Sequence, residues 1–140
     1  MKRLLLTTFL LVHLWGCASK KPETPSMVVP MSYFYAASAL ALDDFGRARE
    51  FLKALASESI GDLKTQAQAA AASPNIEAMR ALFKGLTEGV VVNMSYPDDN
   101  YAVAFCPMYK NGFKWIQKRD APIANPYLGK SMPTCGSFVD

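Results

Sequence analysis

Four sulfur-bearing residues near the C-terminus have types and spacings that suit chemistry: Cys106 and Met108, two apart, and Met132 and Cys135, three apart. Thiolate and thioether sulfurs are soft, polarisable donors, and such donors select Cu(I) over harder cations. Brought together, the two segments offer two thiolates and two thioethers to one ion. Phe105, Tyr109, Trp115 and Tyr127 lie close by in sequence to wall it from water. The same spacing has a second reading. Two cysteines roughly thirty residues apart in an oxidising compartment form a disulfide. Closing a loop of that length is worth about 3 to 4 kcal/mol in the chain-entropy account. The methionines would then fill gaps in a core, their commonest use. Spacing alone leaves both readings open.

The N-terminus sets the compartment. Met1-Lys2-Arg3 is basic, and Leu4 to Leu14 is an apolar run broken mainly by Thr7, Thr8 and His13. That run is shorter than the about 20 residues a bilayer span needs and fits a secretory signal. It ends in Leu14-Trp15-Gly16-Cys17, which resembles the lipobox of bacterial lipoproteins, with Trp15 where a small residue is usual. The resemblance implies a lipid on Cys17, membrane attachment through it, and Cys17 as the first mature residue. Ala18 and Ser19, rather than Asp, follow the cysteine, which by the same resemblance points to the periplasmic face of the outer membrane. Residues 1–16 then form the signal peptide and 17–31 a lipidated tether. Pro22, Pro25 and Pro30 keep that tether extended. Residues 32–140 form a single domain.

Removing residues 1–16 takes Lys2 and Arg3, and the formal charge falls from +3 to +1. Nucleic-acid binding thereby loses electrostatic support. His13, the only histidine, goes as well. A mature chain without histidine builds neither a Ser-His nor a Cys-His nucleophile pair, nor a His-ligated zinc site. The best acids, Asp98 and Asp99, sit in the turn Pro97-Asp98-Asp99-Asn100 and are explained as turn formers. The expectation is therefore a protein that is not an enzyme.

The elements that must hold the sulfur residues read as mainly α. The pattern is an antiparallel bundle of about four helices, with a C-terminal irregular cap carrying the cysteines and methionines and one or two short strands. Tyr33, Phe34, Ala37, Leu40 and Ala41 fall on one helical face after Pro30. Asp43 is placed to cap a second helix, along which Phe45, Ala48, Leu52 and Leu55 repeat. Asp62 is placed to cap a third, Leu63 to Ala72, whose alanines allow close approach. Ser73-Pro74 signals the start of a fourth. There Ile76, Met79, Phe83, Leu86, Val90 and Met94 recur with helical period to about Ser95, although Gly89-Val90-Val91-Val92 also suits a stop and a strand. Tyr101 to Phe105 alternates bulky and small residues and reads as a strand into Cys106. Asn111-Gly112 marks a turn, and Phe113, Trp115 and Ile116 supply apolar bulk to seal the bundle end.

The last third also carries an ordered pattern: Cys106-Pro107-Met108, Gly112, Trp115, Ile123-Ala124-Asn125-Pro126-Tyr127, Gly129, Met132 and Cys135-Gly136. It resembles a bacterial periplasmic domain found alone or fused to adaptor subunits of copper and silver efflux systems. Tyr109 stands where that family has alanine, Phe105 where many relatives have His or Tyr, and Phe113 where a small residue is common. The resemblance implies association with Cu(I) or Ag(I), with Cys106 and Cys135 as thiolates and Met108 and Met132 as thioethers. It also implies an efflux-complex or other envelope partner. The competing expectation is a non-catalytic structural or interaction lipoprotein, stapled by a Cys106–Cys135 disulfide.

Overall fold

The segment Met31–Ala41 is apolar on nearly every side, and a helix of that kind belongs in the interior. The computed structural model describes residues 27–139, and there this helix, α1, is buried along almost its whole length, from Ser32 and Tyr33 to Leu40 and Ala41. Three helices follow: α2 (Phe45–Glu58), α3 (Gly61–Ala71) and α4 (Ile76–Asn93), each packed on the one before it. Helix α2 buries Ala48, Leu52, Leu55 and Ala56 and leaves Arg47, Glu50 and Lys53 in solvent. Helix α3 buries only alanines fully, at 67, 70 and 71.

The caps differ from the sequence expectation. Asp44, not Asp43, caps α2, its Oδ1 accepting from Arg47 N at 3.0 Å. Asp62 lies inside the first turn of α3, whose N-cap position is Ile60. Ser73 does not start α4, because its N–H still bonds Ala70 O in the closing turn of α3. Asn75 caps α4 instead, accepting from Ala78 N at 2.8 Å. The long-helix reading of α4 holds through Gly89, and the chain turns extended at Met94.

The expectation of a helical bundle with one or two short strands holds in part: the four helices are present, and beyond Tyr101 the cap is built on a small sheet. Three strands form an antiparallel sheet, with β1 (Tyr101–Cys106) between β2 (Phe113–Lys118) and β3 (Ser137–Val139). Roughly half of the described residues are helical, so the architecture is mixed. Trp115 and Ile116 are both fully buried in β2, which explains why that strand lacks a clean alternation.

Two tyrosine hydroxyls close the outer edge of β2. Tyr33 OH accepts from Ile116 N at 3.3 Å and pairs with Thr87 Oγ1 at 3.2 Å. Tyr127 OH donates to Lys114 O at 2.7 Å. An edge whose polar groups are satisfied in this way does not recruit a further strand there. Burial pushes the Tyr33 phenol up to about 12. Its ring stacks on Phe83 of α4 at 5.4 Å, so one side chain joins α1, α4 and the sheet.

The folded unit starts earlier than residue 32. Val28 pairs with Ser95, Val29 N donates to Ser95 O at 2.9 Å, and Val29 is buried. The expected signal peptide, Cys17 and most of the expected tether lie outside the described residues. Among those that are described, no helix is long and apolar enough to cross a membrane.

Candidate functional site

Strand β1 carries Cys106 to its C-terminal end, where the residue is paired with Phe113 of β2 and fully buried. Strand β3 returns on the other side, with Phe105 opposite Ser137. Cys135 therefore arrives beside Cys106, and the two form a disulfide with Cα atoms 5.7 Å apart, inside the usual range for such a bond.

Asn125 holds the arm that delivers Cys135. This buried side chain donates from Nδ2 to Cys135 O at 2.8 Å. Its Oδ1 accepts from Tyr127 N at 2.8 Å and Leu128 N at 3.0 Å. Its own N–H donates to Pro133 O at 2.8 Å. One residue thus spans the whole Asn125–Cys135 loop.

Arg80 ties that loop to the helices. From α4 it donates to Pro126 O at 2.9 Å and Leu40 O at 2.7 Å, and it forms an ion pair with Asp43. Asp43 sits at φ 57° between α1 and α2 and also accepts from Lys130 N at 3.2 Å. Gly129 lies against this pair at φ +53°, where a Cβ would overlap the Asp43 carboxylate and the Arg80 guanidinium. Gly136, at φ +135°, passes under Trp115, and a Cβ there would lie 2.7 Å from its Cη2.

The Arg80 hydrogen bond, with that from Lys130 N, holds the Asp43 carboxyl below its ordinary value against the opposing effect of burial. A carboxyl depressed by folding stabilises the protein above its unfolded value, about 3.9, and that stability is lost as pH falls through the lower folded value. Acid unfolding followed by circular dichroism should therefore steepen below about pH 4. In Asp43→Asn the slope there should be shallower, because the ionisable partner of Arg80 is gone. Identical acid profiles for the two proteins would contradict this assignment.

Aromatic rings form a wall around Tyr127, and one of them, Phe113, is the strand partner of Cys106. Tyr109 stacks on Tyr127 at 5.8 Å, Phe113 lies 5.0 Å from Tyr127, and Trp115 meets Tyr127 edge-on at 6.3 Å. Phe105 is not part of this wall. Strand alternation puts it on the opposite face from Cys106, where it packs under Gly112.

The structure brings together Cys106 and Cys135 but does not bury the methionines. Met108 is 66% exposed and Met132 42% exposed, so the reading of both as core filler is overturned. Each remains tethered close to a cysteine. Met108 follows Cys106 by two residues, and Cys135 N donates to Met132 O at 3.2 Å in a one-turn loop. Among the described residues no group of three or more His, Cys, Asp or Glu side chains is placed to hold a metal. The expected donors are all sulfurs, and in the disulfide neither cysteine is a thiolate.

Sequence reasoning missed Arg80, Asp43 and Asn125 as the parts that position the pair. Arg80 had a signal: it falls four residues after Ile76 and three before Phe83, on the apolar face of α4. Comparison with family profiles, curated proteins and solved structures finds no match to this chain.

Proposed function

We propose that this chain is a bacterial envelope lipoprotein, anchored by a lipid on Cys17 in the outer membrane, that binds a soft monovalent ion, Cu(I) or Ag(I). In the reduced state Cys106 and Cys135 serve as thiolates and Met108 and Met132 as thioethers. The ion is cargo, held or handed to an efflux complex or another envelope protein, and no catalysis is involved. The observation that carries this reading is the exposure of both methionines, each within three residues of a cysteine of the pair. Trp115, Asn125, Tyr127, Gly112, Gly129 and Gly136 are all taken up by packing, hydrogen bonding or backbone geometry. Met108 and Met132 have no comparable place in the core, and a solvent-facing thioether can swing to a surface-bound ion with little rearrangement. The resemblance to domains fused to copper and silver efflux adaptors points the same way.

The bond between Cys106 and Cys135 favours a second reading, a structural or interaction lipoprotein in which the disulfide is only a staple. Anaerobic titration of the reduced protein with Cu(I), against a competing chelator, separates the two. One equivalent should bind, and Met108→Leu/Met132→Leu should weaken it by at least about tenfold. Equal affinity in the variant removes the methionines from the site. No competitive binding by the reduced wild type leaves the staple.

A further inference from the structure

The two cysteines are not equivalent. Cys106 is fully buried at the end of β1, whereas Cys135 is partly exposed on the arm before β3. Each residue has contacts besides the sulfur–sulfur bond that hold it in place. The β1–β2 register fixes Cys106, while Asn125, the β1–β3 ladder and the close passage of Gly136 under Trp115 fix Cys135. In the bonded pair, solvent therefore approaches from the Cys135 side and not from the Cys106 side.

We propose that a dithiol reductant opens this pair from one side only, by attack on Cys135, and that this exchange switches the site between closed and loading states. The inference rests on the soft-metal reading only for what the opened pair then binds. A partner thiolate forms a sulfur–sulfur bond to Cys135 Sγ, the Cys106–Cys135 bond breaks, and the electron pair leaves on Cys106 Sγ. The second thiolate of the partner then attacks its own sulfur in the mixed disulfide and releases Cys135 as a thiolate. The partner is oxidised by two electrons and the pair reduced by two. The opened pair either takes up protons or captures a soft cation. The reverse exchange, in which the disulfide of an oxidised partner accepts the two electrons and leaves as a dithiol, re-forms the Cys106–Cys135 bond, removes both thiolates and expels the ion.

The test uses the full chain in detergent carrying Cys17→Ser, so that only the pair reacts. In this background Cys106→Ser leaves Cys135 free, and Cys135→Ser leaves Cys106 free. Folded, as judged by circular dichroism, free Cys135 should react with dithionitrobenzoate at least about tenfold faster than free Cys106, and in denaturant the rates should converge. Equal rates in the folded proteins, or faster reaction at Cys106, would overturn the inference. A second measurement needs no change to the pair: limited glutathione exchange on the oxidised protein, with the mixed disulfide mapped by peptide mass spectrometry. Glutathione should be found on Cys135, and recovery mainly on Cys106 overturns the proposal. A thioredoxin-type protein lacking its resolving cysteine should likewise be trapped on Cys135, which distinguishes a protein dithiol from a small thiol as the reductant. Rate asymmetry without Cu(I) binding by the reduced wild type defeats the metal reading and leaves one-sided exchange standing. Cu(I) binding with equal thiol rates does the reverse.

Discussion

Arg80→Ala is expected to destabilise the fold by about 3 to 5 kcal/mol, the range for breaking one side of a buried ion pair. Arg80 is 7% exposed, and its guanidinium serves three acceptors on three separate stretches of chain: Leu40 O at the end of α1, Asp43 before α2, and Pro126 O in the loop that leads to Cys135. Alanine strands all three. The two carbonyls lose their partner in the interior, which is the costly half of hydrogen-bond exchange. Water reaches Asp43, whose side chain is 36% exposed, and this sets the expectation toward the lower end. Arg80→Lys should recover only part of the loss, because one ammonium cannot reproduce a planar fork aimed at separate acceptors. Urea unfolding of the oxidised proteins measures both. A loss under about 1 kcal/mol for Arg80→Ala, within what one ordinary hydrogen bond contributes, would show that this junction does not carry the loop.

The residues at this junction also mark where sequence reading succeeds and where it stops. Helical periodicity located α1, α2 and α4, because each buries a continuous face and local spacing encodes that face. The alternation from Tyr101 to Phe105 located β1. Strand β2 was read only as apolar bulk, since Trp115 and Ile116 are neighbours that are both buried and the period of two is lost. Strand β3 has three residues, too few to show any period. Asp43 reads as a helix cap from sequence because its neighbours supply local cap chemistry. Its actual partner is 37 residues away, and no local rule reaches that far. The pairing of Cys106 with Cys135 was foreseen as one of two outcomes, but the exposure of Met108 and Met132 was not. Whether a methionine fills a gap or faces water depends on how the loops fold back, which neither residue type nor spacing contains.

Reducing the Cys106–Cys135 bond is expected to lower stability by about 3 to 4 kcal/mol, from the loop entropy restored to the unfolded chain. If that is all the bond does, Asn125→Ala should cost the same in the oxidised and the reduced protein. Asn125 makes five hydrogen bonds that tie Cys135, Pro133, Tyr127, Leu128 and Gly129 together. Alanine removes the three made by its side chain, at a cost of about 2 to 4 kcal/mol. The two changes should add to within about 0.5 kcal/mol, as they do for perturbations that do not share a folded-state contact. Strong non-additivity carries a specific meaning. Should Asn125→Ala cost little once the bond is reduced, the arm has already left β1 in the reduced wild type. Cys135 then has no fixed position, and the bond is the device that places it. A pre-organised dithiol beside two thioethers would not exist, and soft-ion binding at this surface would have to assemble its ligands from a loose segment. Additivity instead means that the scaffold alone presents both sulfurs 29 residues apart in sequence, as a site that must open and close its disulfide without unfolding requires. Denaturant unfolding of wild type and Asn125→Ala, each oxidised and reduced, therefore decides between a staple that makes the structure and a structure that makes the site.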